Sequence, residues 1–281
     1  MRWEFGRRST NIEDRRGMRP SRGVVGGGLG ALLLALLVAL LGGDPSMVLN
    51  QSPVYDSPAQ VAPAPPQDDQ AAAFVSTVLG YTEDTWSQIF REKGSKYVEP
   101  KLVLFSGVVN SGCGTAQASM GPFYCPLDQK VYLDMSFYND MQRRLGAGGD
   151  FAYAYVIAHE VGHHVQNLLG ISDQVQSMQR RVSKTQANQL SVRLELQADC
   201  FAGVWANRTH QAQQILEKGD VEEALNAAAA IGDDRLQKQA QGYAVPDSFT
   251  HGTSAQRVRW FTQGIKTGDV NQCNTFEATT L

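Results

Sequence analysis

His159-Glu160-Val161-Gly162-His163 constrains this chain more than any other stretch of its 281 residues. On a helix of 3.6 residues per turn, side chains four apart stand one above the other on the same face. The two imidazoles would then aim two nitrogen donors at one point, which suits zinc, held about 2.1 Å from neutral histidine nitrogens. Glu160 follows the first imidazole and is placed to act as general base on a water activated by such an ion. His164 points about 100° away round the helix and reads as structural or as support for the ligands. The pentad arises by chance often enough that its surroundings must decide.

Those surroundings predict a buried helix. From Asp150 to Gly170 the chain is dense in Ala, Val, Ile, Leu, Phe and Tyr, with no proline. Asp150 suits the N-cap, and Gly170 the left-handed position past the C-terminus. Histidines and a glutamate inside so apolar a segment are costly to bury unless something uses them. A metal is the natural user, and satisfied core histidines are the alternative.

Catalytic zinc usually takes three protein ligands and leaves a fourth position to water. A metzincin would place Gly and His at the positions held here by Gln166 and Leu169, so that class is excluded. The better candidate lies downstream, where an apolar helical stretch carries Glu195 and Asp199 four residues apart. Two carboxylates on one buried face repel unless a cation divides their roles. Glu195 would take the metal, and Asp199 the outer nitrogen of a ligand imidazole, fixing its tautomer and orientation. An exposed acidic face is the alternative, and the flanking Leu, Ala, Phe and Trp argue against it.

Three segments together carry a family resemblance: Ala158-His159-Glu160-Val161-Gly162-His163-His164-Val165-Gln166, Glu195-Leu196-Gln197-Ala198-Asp199-Cys200, and His251-Gly252-Thr253-Ser254-Ala255-Gln256-Arg257. With them the chain looks like the glutamate-type zincins, the thermolysin-like clan. The closer match is to the neutral zinc metallopeptidase family of bacteria, over roughly residues 71–273. The resemblance implies a zincin-like domain with one Zn2+ per chain, Glu195 as third ligand and a peptide or protein substrate. It also implies that an edge strand of a small sheet holds the substrate by backbone pairing, with residues 131–134 as the better candidate. Late histidines in thermolysin-like enzymes motivate His251 as a donor to the tetrahedral oxyanion, with a plain surface histidine as the alternative. Tyr243 is a weaker candidate for that role and reads as packing. Arg257 and Arg259 could meet a carboxylate, but read as decoration of a helix face.

The N-terminal quarter predicts a location. Residues 23–43 are uncharged and rich in Leu, Ala, Val and Gly, long enough to cross a hydrocarbon core of about 30 Å. Residues 1–22 hold seven Arg against three acids, so the positive-inside rule keeps them in the cytoplasm and places the rest outside. A cleaved signal peptide is the alternative, but the apolar run is longer than its usual core and no small-x-small site stands before Pro45. Gly26 and Gly30 would allow weak pairing of two such helices. Residues 44–70 are rich in Pro, Ala, Gln and Asp and read as a tether. Residues 71–281 are then the zinc metallopeptidase-like domain. Beyond residue 22 the chain keeps 18 basic and 25 acidic residues, which argues against nucleic acid as a partner.

Four cysteines fit an oxidising compartment. Three pairings are possible, of which Cys113–Cys125 and Cys200–Cys273 are expected, and buried free thiols are the alternative. Helices are expected at 71–79, 83–92, 136–145, 174–185, 190–207, 221–231 (capped by Asp220) and from Thr253 or Ser254 to near Gly268. Strands are expected at 101–105 and 130–135. The fold class is α+β, helix-dominated, with a small sheet preceding the metal-binding helix and one N-terminal transmembrane helix. The functional reading is a membrane-anchored zinc peptidase. The alternatives are a zinc-stabilised peptide- or envelope-binding module without turnover and a zinc amidase acting on cell-wall material.

Overall fold

A computed structural model describes residues 1–17 and 69–281. Residues 1–14 and 69–281 build one compact unit, while the second unit, Arg15–Ala64, falls almost wholly outside the described residues. In chain order the elements are β1 (Ile12–Asp14), α1 (Gln70–Glu92), β2 (Lys101–Phe105), β3 (Val108–Ser111), β4 (Gly114–Gln117), β5 (Phe123–Cys125) and β6 (Lys130–Asp134). The helices α2 (Phe137–Arg144), α3 (Asp150–Leu168), α4 (Ile171–Gln179), α5 (Lys184–Gln213), α6 (Asp220–Ala230), α7 (Asp233–Gln241) and α8 (Ser254–Thr267) follow. The result is a helix-rich α+β domain with its small sheet ahead of α3.

The sheet runs in the order β1-β2-β6-β5, with β1, β2 and β6 parallel and β5 antiparallel to β6. Strand alternation divides its core in two. Leu102, Leu104, Val131 and Leu133 join the main helical core, whereas Val103, Phe105 and Tyr132 meet Val109, Ala116 and Cys125 on the opposite face. That second cluster is covered by the β3–β4 hairpin, which the Cys113–Cys125 disulfide ties to β5. Because β6 is paired on both sides, residues 131–134 offer no free edge. Among the described residues the end strands of the sheet are β1 and β5.

The helical half is built around α3, which is buried along almost its whole length. α5 lies against it, and α8 packs most extensively on α5. Gly162 permits the α3–α5 approach, since a Cβ there would stand 3.1 Å from the carbonyl oxygen of Ala198. The second disulfide, Cys200–Cys273, pins the segment after α8 to α5. Both expected cysteine pairings are formed.

The expected single-pass topology is corrected by residues 1–14. β1 forms a parallel ladder with β2, with Ile12, Glu13 and Asp14 opposite Leu102, Val103 and Leu104. The Met1 ammonium lies 2.7 Å from an Asp150 carboxylate oxygen and 3.4 Å from Asp220, while Arg7 Nη2 lies 2.8 Å from the buried Glu83. A single crossing between residues 22 and 44 would part these partners by a bilayer of about 30 Å. The cytoplasmic N-terminus and the extracytoplasmic domain of that reading are therefore one body. No helix among the described residues is long and apolar enough to cross a membrane. The expected span at 23–43, its Gly26–Gly30 pairing surface and the tether at 44–70 lie outside the described residues, apart from Asp69 and Gln70, the cap and first residue of α1.

Local corrections follow from the same contacts. Asp150 is the first residue of α3 rather than its cap, which is Gly149, because its carboxylate is taken by the Met1 ammonium. Asp220 likewise opens α6 behind Gly219. The two expected helices at 71–79 and 83–92 are one continuous α1.

Candidate metal centre

α3 delivers His159, at its midpoint, and His163, one turn further on, to the floor of a cleft, and α5 brings Glu195 to face them. Nε2 of His159 lies 3.1 Å from Glu195 Oε2, and Nε2 of His163 lies 3.4 Å from Glu195 Oε1. The three candidate ligand atoms fall within 4.8 Å of one another. Two ligands bound at about 2.1 Å to a tetrahedral ion lie about 3.4 Å apart, so the donor set fits zinc in number, type and spacing. Glu160 is 8% exposed and lines the same cleft, of about 430 Å³.

Each imidazole is held from behind. His159 Nδ1 stands 2.8 Å from Asp199 Oδ1, and since a carboxylate only accepts, Nδ1 is the donor. His163 Nδ1 donates to Gln166 Oε1 at 2.8 Å. The Gln166 amide cannot be flipped, because its Nε2 donates to the Leu194 carbonyl and to Gln197 Oε1. Both rings therefore turn Nε2 toward Glu195. His164 faces away, as expected: Nε2 donates to the Val98 carbonyl and Nδ1 accepts from Tyr124. Burial lowers its pKa and keeps it neutral.

The electrostatics favour positive charge at the point where the donors meet. Burial opposes a charged His159, but Asp199 and Glu195 outweigh it and raise the imidazole to about 10. Burial opposes charge on His163 as well, and Glu195 again raises it. Glu195 is held well below the usual carboxylate range: burial works against its charge, and the two imidazoles overcome that. Carboxylates that draw a proton onto an imidazole this strongly would draw a divalent cation to the same nitrogens.

His251 lines the cleft with these residues, its side chain 52% exposed. Its Nδ1 lies 3.0 Å from Thr250 Oγ1 and 3.4 Å from Asp233 Oδ1. Asp233 is itself fixed by the backbone amides of Thr250, His251 and Gly252. The hydrogen bond with Asp233 raises the His251 pKa, against partial burial. Tyr243 is 62% exposed and does not line the cleft.

Arg257 departs from its sequence reading. It is 2% exposed, and its guanidinium grips both oxygens of Asp199, from Nε to Oδ2 and from Nη2 to Oδ1, each at 2.9 Å. Tyr155 completes the group by donating to Asp199 Oδ1 at 2.5 Å. Arg259 remains near the surface, on the carbonyl of Leu281. Gln166 was also missed, although its place three positions past His163 on one helix face was a signal that could have found it. No local signal marks Arg257, which approaches from 58 residues beyond its partner.

The chain matches the family described as "putative neutral zinc metallopeptidase" over residues 1–276. An uncharacterized protein of Escherichia coli strain K12, YpfJ, is 53% identical over 285 residues, covering 98% of this chain and 99% of that one. Uncharacterized protein Rv2575 of Mycobacterium tuberculosis strain H37Rv is 42% identical over 257 residues, 86% of each chain. No solved structure matches. With the match beginning at the same N-terminal residues that complete the sheet, the chain belongs, over nearly its whole length, to the neutral zinc metallopeptidase family.

Proposed function

We propose that this chain hydrolyses peptide bonds as a zinc-dependent peptidase, with His159, His163 and Glu195 holding one zinc ion and Glu160 as the general base. The observation that carries the reading is the meeting of three ligand atoms within 4.8 Å on the floor of a cleft that Glu160 also lines. A bound zinc ion supplies a Lewis acid that acidifies water and polarises a carbonyl. Glu160 takes the proton of the attacking water and passes it to the leaving amine. His251, held by Asp233 where it lines the same cleft, donates to the oxygen on which negative charge develops. Phe123 and Tyr124 of β5 line the cleft, so the outer edge of β5 is placed to pair with an extended substrate backbone.

A buried, uncommitted carboxylate beside the ligands favours catalysis over a zinc-stabilised binding role, which gives no reason for Glu160. The test uses the purified full chain, with metal analysis beside a peptide-library cleavage assay. The wild-type protein should hold one equivalent of zinc and lose cleavage on chelation, and Glu160→Gln should keep the zinc and lose cleavage. Cleavage that persists in Glu160→Gln, or a folded wild-type chain indifferent to zinc, would overturn the proposal.

A further inference from the structure

We infer that Arg257 is a positioning residue for the metal centre, its guanidinium fork fixing Asp199 against the outer nitrogen of His159. The inference rests on the zinc reading above and goes beyond it, because it ties the geometry of one ligand to α8.

Asp199 is fully buried, and a carboxylate attached through a single rotatable bond has no inherent reason to turn one oxygen toward His159. Three donors settle its orientation. Oδ1 receives Tyr155 Oη at 2.5 Å, His159 Nδ1 at 2.8 Å and Arg257 Nη2 at 2.9 Å, while Oδ2 receives Arg257 Nε at 2.9 Å. Only Arg257 binds both oxygens, so only Arg257 sets the plane of the carboxylate. A planar fork of this kind matches a carboxylate in direction as well as in charge. Nη2 also stands 3.3 Å from Tyr155 Oη and 3.4 Å from His159 Nδ1, which closes the group on all sides.

The fork is itself held in place. Thr253 and Gln256 form a reciprocal capping box that starts α8, and the Arg257 amide donates to the Thr253 carbonyl in that first turn. The charge is balanced locally: Asp199 can orient His159 without leaving an unpaired anion in the core, because the guanidinium stands against it. Lysine would preserve that charge but reach only as a point donor. Charge and fork can therefore be separated by substitution.

The test measures zinc affinity of the full chain by chelator competition, with peptide turnover in parallel and thermal melting to report the fold. Arg257→Lys should keep the charge yet bind zinc roughly 10- to 100-fold more weakly, the loss typical when support behind a histidine ligand is removed. The turnover defect should fall on kcat more than KM. Asp199→Asn should weaken zinc to a similar degree, and adding Arg257→Lys to it should cost little more, because Arg257 acts through Asp199. If single variants fail to fold, the charge-neutral pair Arg257→Met with Asp199→Asn leaves no lone buried ion, and it should still bind zinc at least tenfold more weakly. Wild-type zinc affinity in Arg257→Lys or in the neutral pair, or losses from Arg257→Lys and Asp199→Asn that simply add, would overturn the role. A wild-type chain that takes up no zinc defeats the zinc reading itself, whatever Arg257 does.

Discussion

Gly264 of α8 lies directly against Cys200 of α5, so close that a side-chain carbon on Gly264 would overlap the Cys200 carbonyl oxygen. Gly203 makes the reciprocal approach to the Phe261 carbonyl. Two glycines thus let the helices cross backbone to backbone, one residue from Asp199 and two turns from Arg257. Neither glycine adopts a left-handed conformation, so what they supply is space. Gly264→Ala should destabilise the fold by about 1–3 kcal/mol through overpacking, seen as a melting temperature several degrees lower. An unchanged melt would show that the crossing has room to spare.

Gln166 connects the two halves of the centre. It accepts from His163 Nδ1 and donates to the Leu194 carbonyl, the residue just before Glu195. Gln166→Leu removes both links while preserving much of the buried volume. It should weaken zinc binding roughly tenfold or more and leave far-ultraviolet circular dichroism unchanged. Equal zinc affinities for the variant and the wild type would show that His163 needs no such support.

What was legible in the sequence was local or strongly periodic. The apolar run from Phe151 to Leu168 specified α3, Gly170 takes the left-handed φ of 72° beyond it, and of the two cap candidates Thr253 and Ser254 it is Thr253 that starts α8. The i, i+4 spacing of His159 with His163, and of Glu195 with Asp199, was enough to place each pair on one face. The failures share a cause in contacts across long stretches of chain. Asp150 looked like a cap, but its partner is an amine 149 residues away. Residues 1–22 looked like a basic flank to an apolar run. β1 is only three residues long and gains its identity from β2, ninety positions downstream. α7 buries none of its residues, so it carried no apolar stripe to detect.

The position of His251 predicts a pH dependence with a definite sign. Its hydrogen bond with Asp233 raises its pKa above the ordinary imidazole value, so the charged form persists to higher pH than for a free histidine. If that form stabilises the oxyanion, kcat/KM should fall as pH rises through the raised value. Asp233→Asn removes the charge that raises it, and the alkaline limb should move to lower pH. His251→Ala should lower kcat by about 10²–10³-fold, as for loss of one oxyanion donor, with zinc content unchanged. An alkaline limb that stays put in Asp233→Asn would assign it to another group.

The N-terminal strap predicts that a chain starting at Ala71 is not the intact domain. Glu83 of α1 is 1% exposed and takes its hydrogen bonds from that strap: Ser9 Oγ at 2.5 Å, Asn11 Nδ2 at 2.8 Å and Arg7 Nη2 at 2.8 Å. Gly80 lets the strap's backbone come against the helix, since a Cβ there would overlap the Arg7 carbonyl oxygen. Further along, Ser9 and Ser76 exchange hydrogen bonds, and β1 covers an edge of β2. Removing residues 1–70 therefore strips a buried carboxylate of its donors and bares a strand edge at once. Hydrogen bonds to a charged group contribute about 1.5–3 kcal/mol each, and Arg7, half exposed, counts for less. The two donors from Ser9 and Asn11 alone set an expected loss of about 3–6 kcal/mol, before the uncovered apolar surface of Phe74 and Tyr81 is included. The fragment should melt well below the full chain, bind hydrophobic dye, and regain stability when a peptide of residues 1–14 is supplied in excess. Equal melting of fragment and full chain would show that the strap merely rests on the domain.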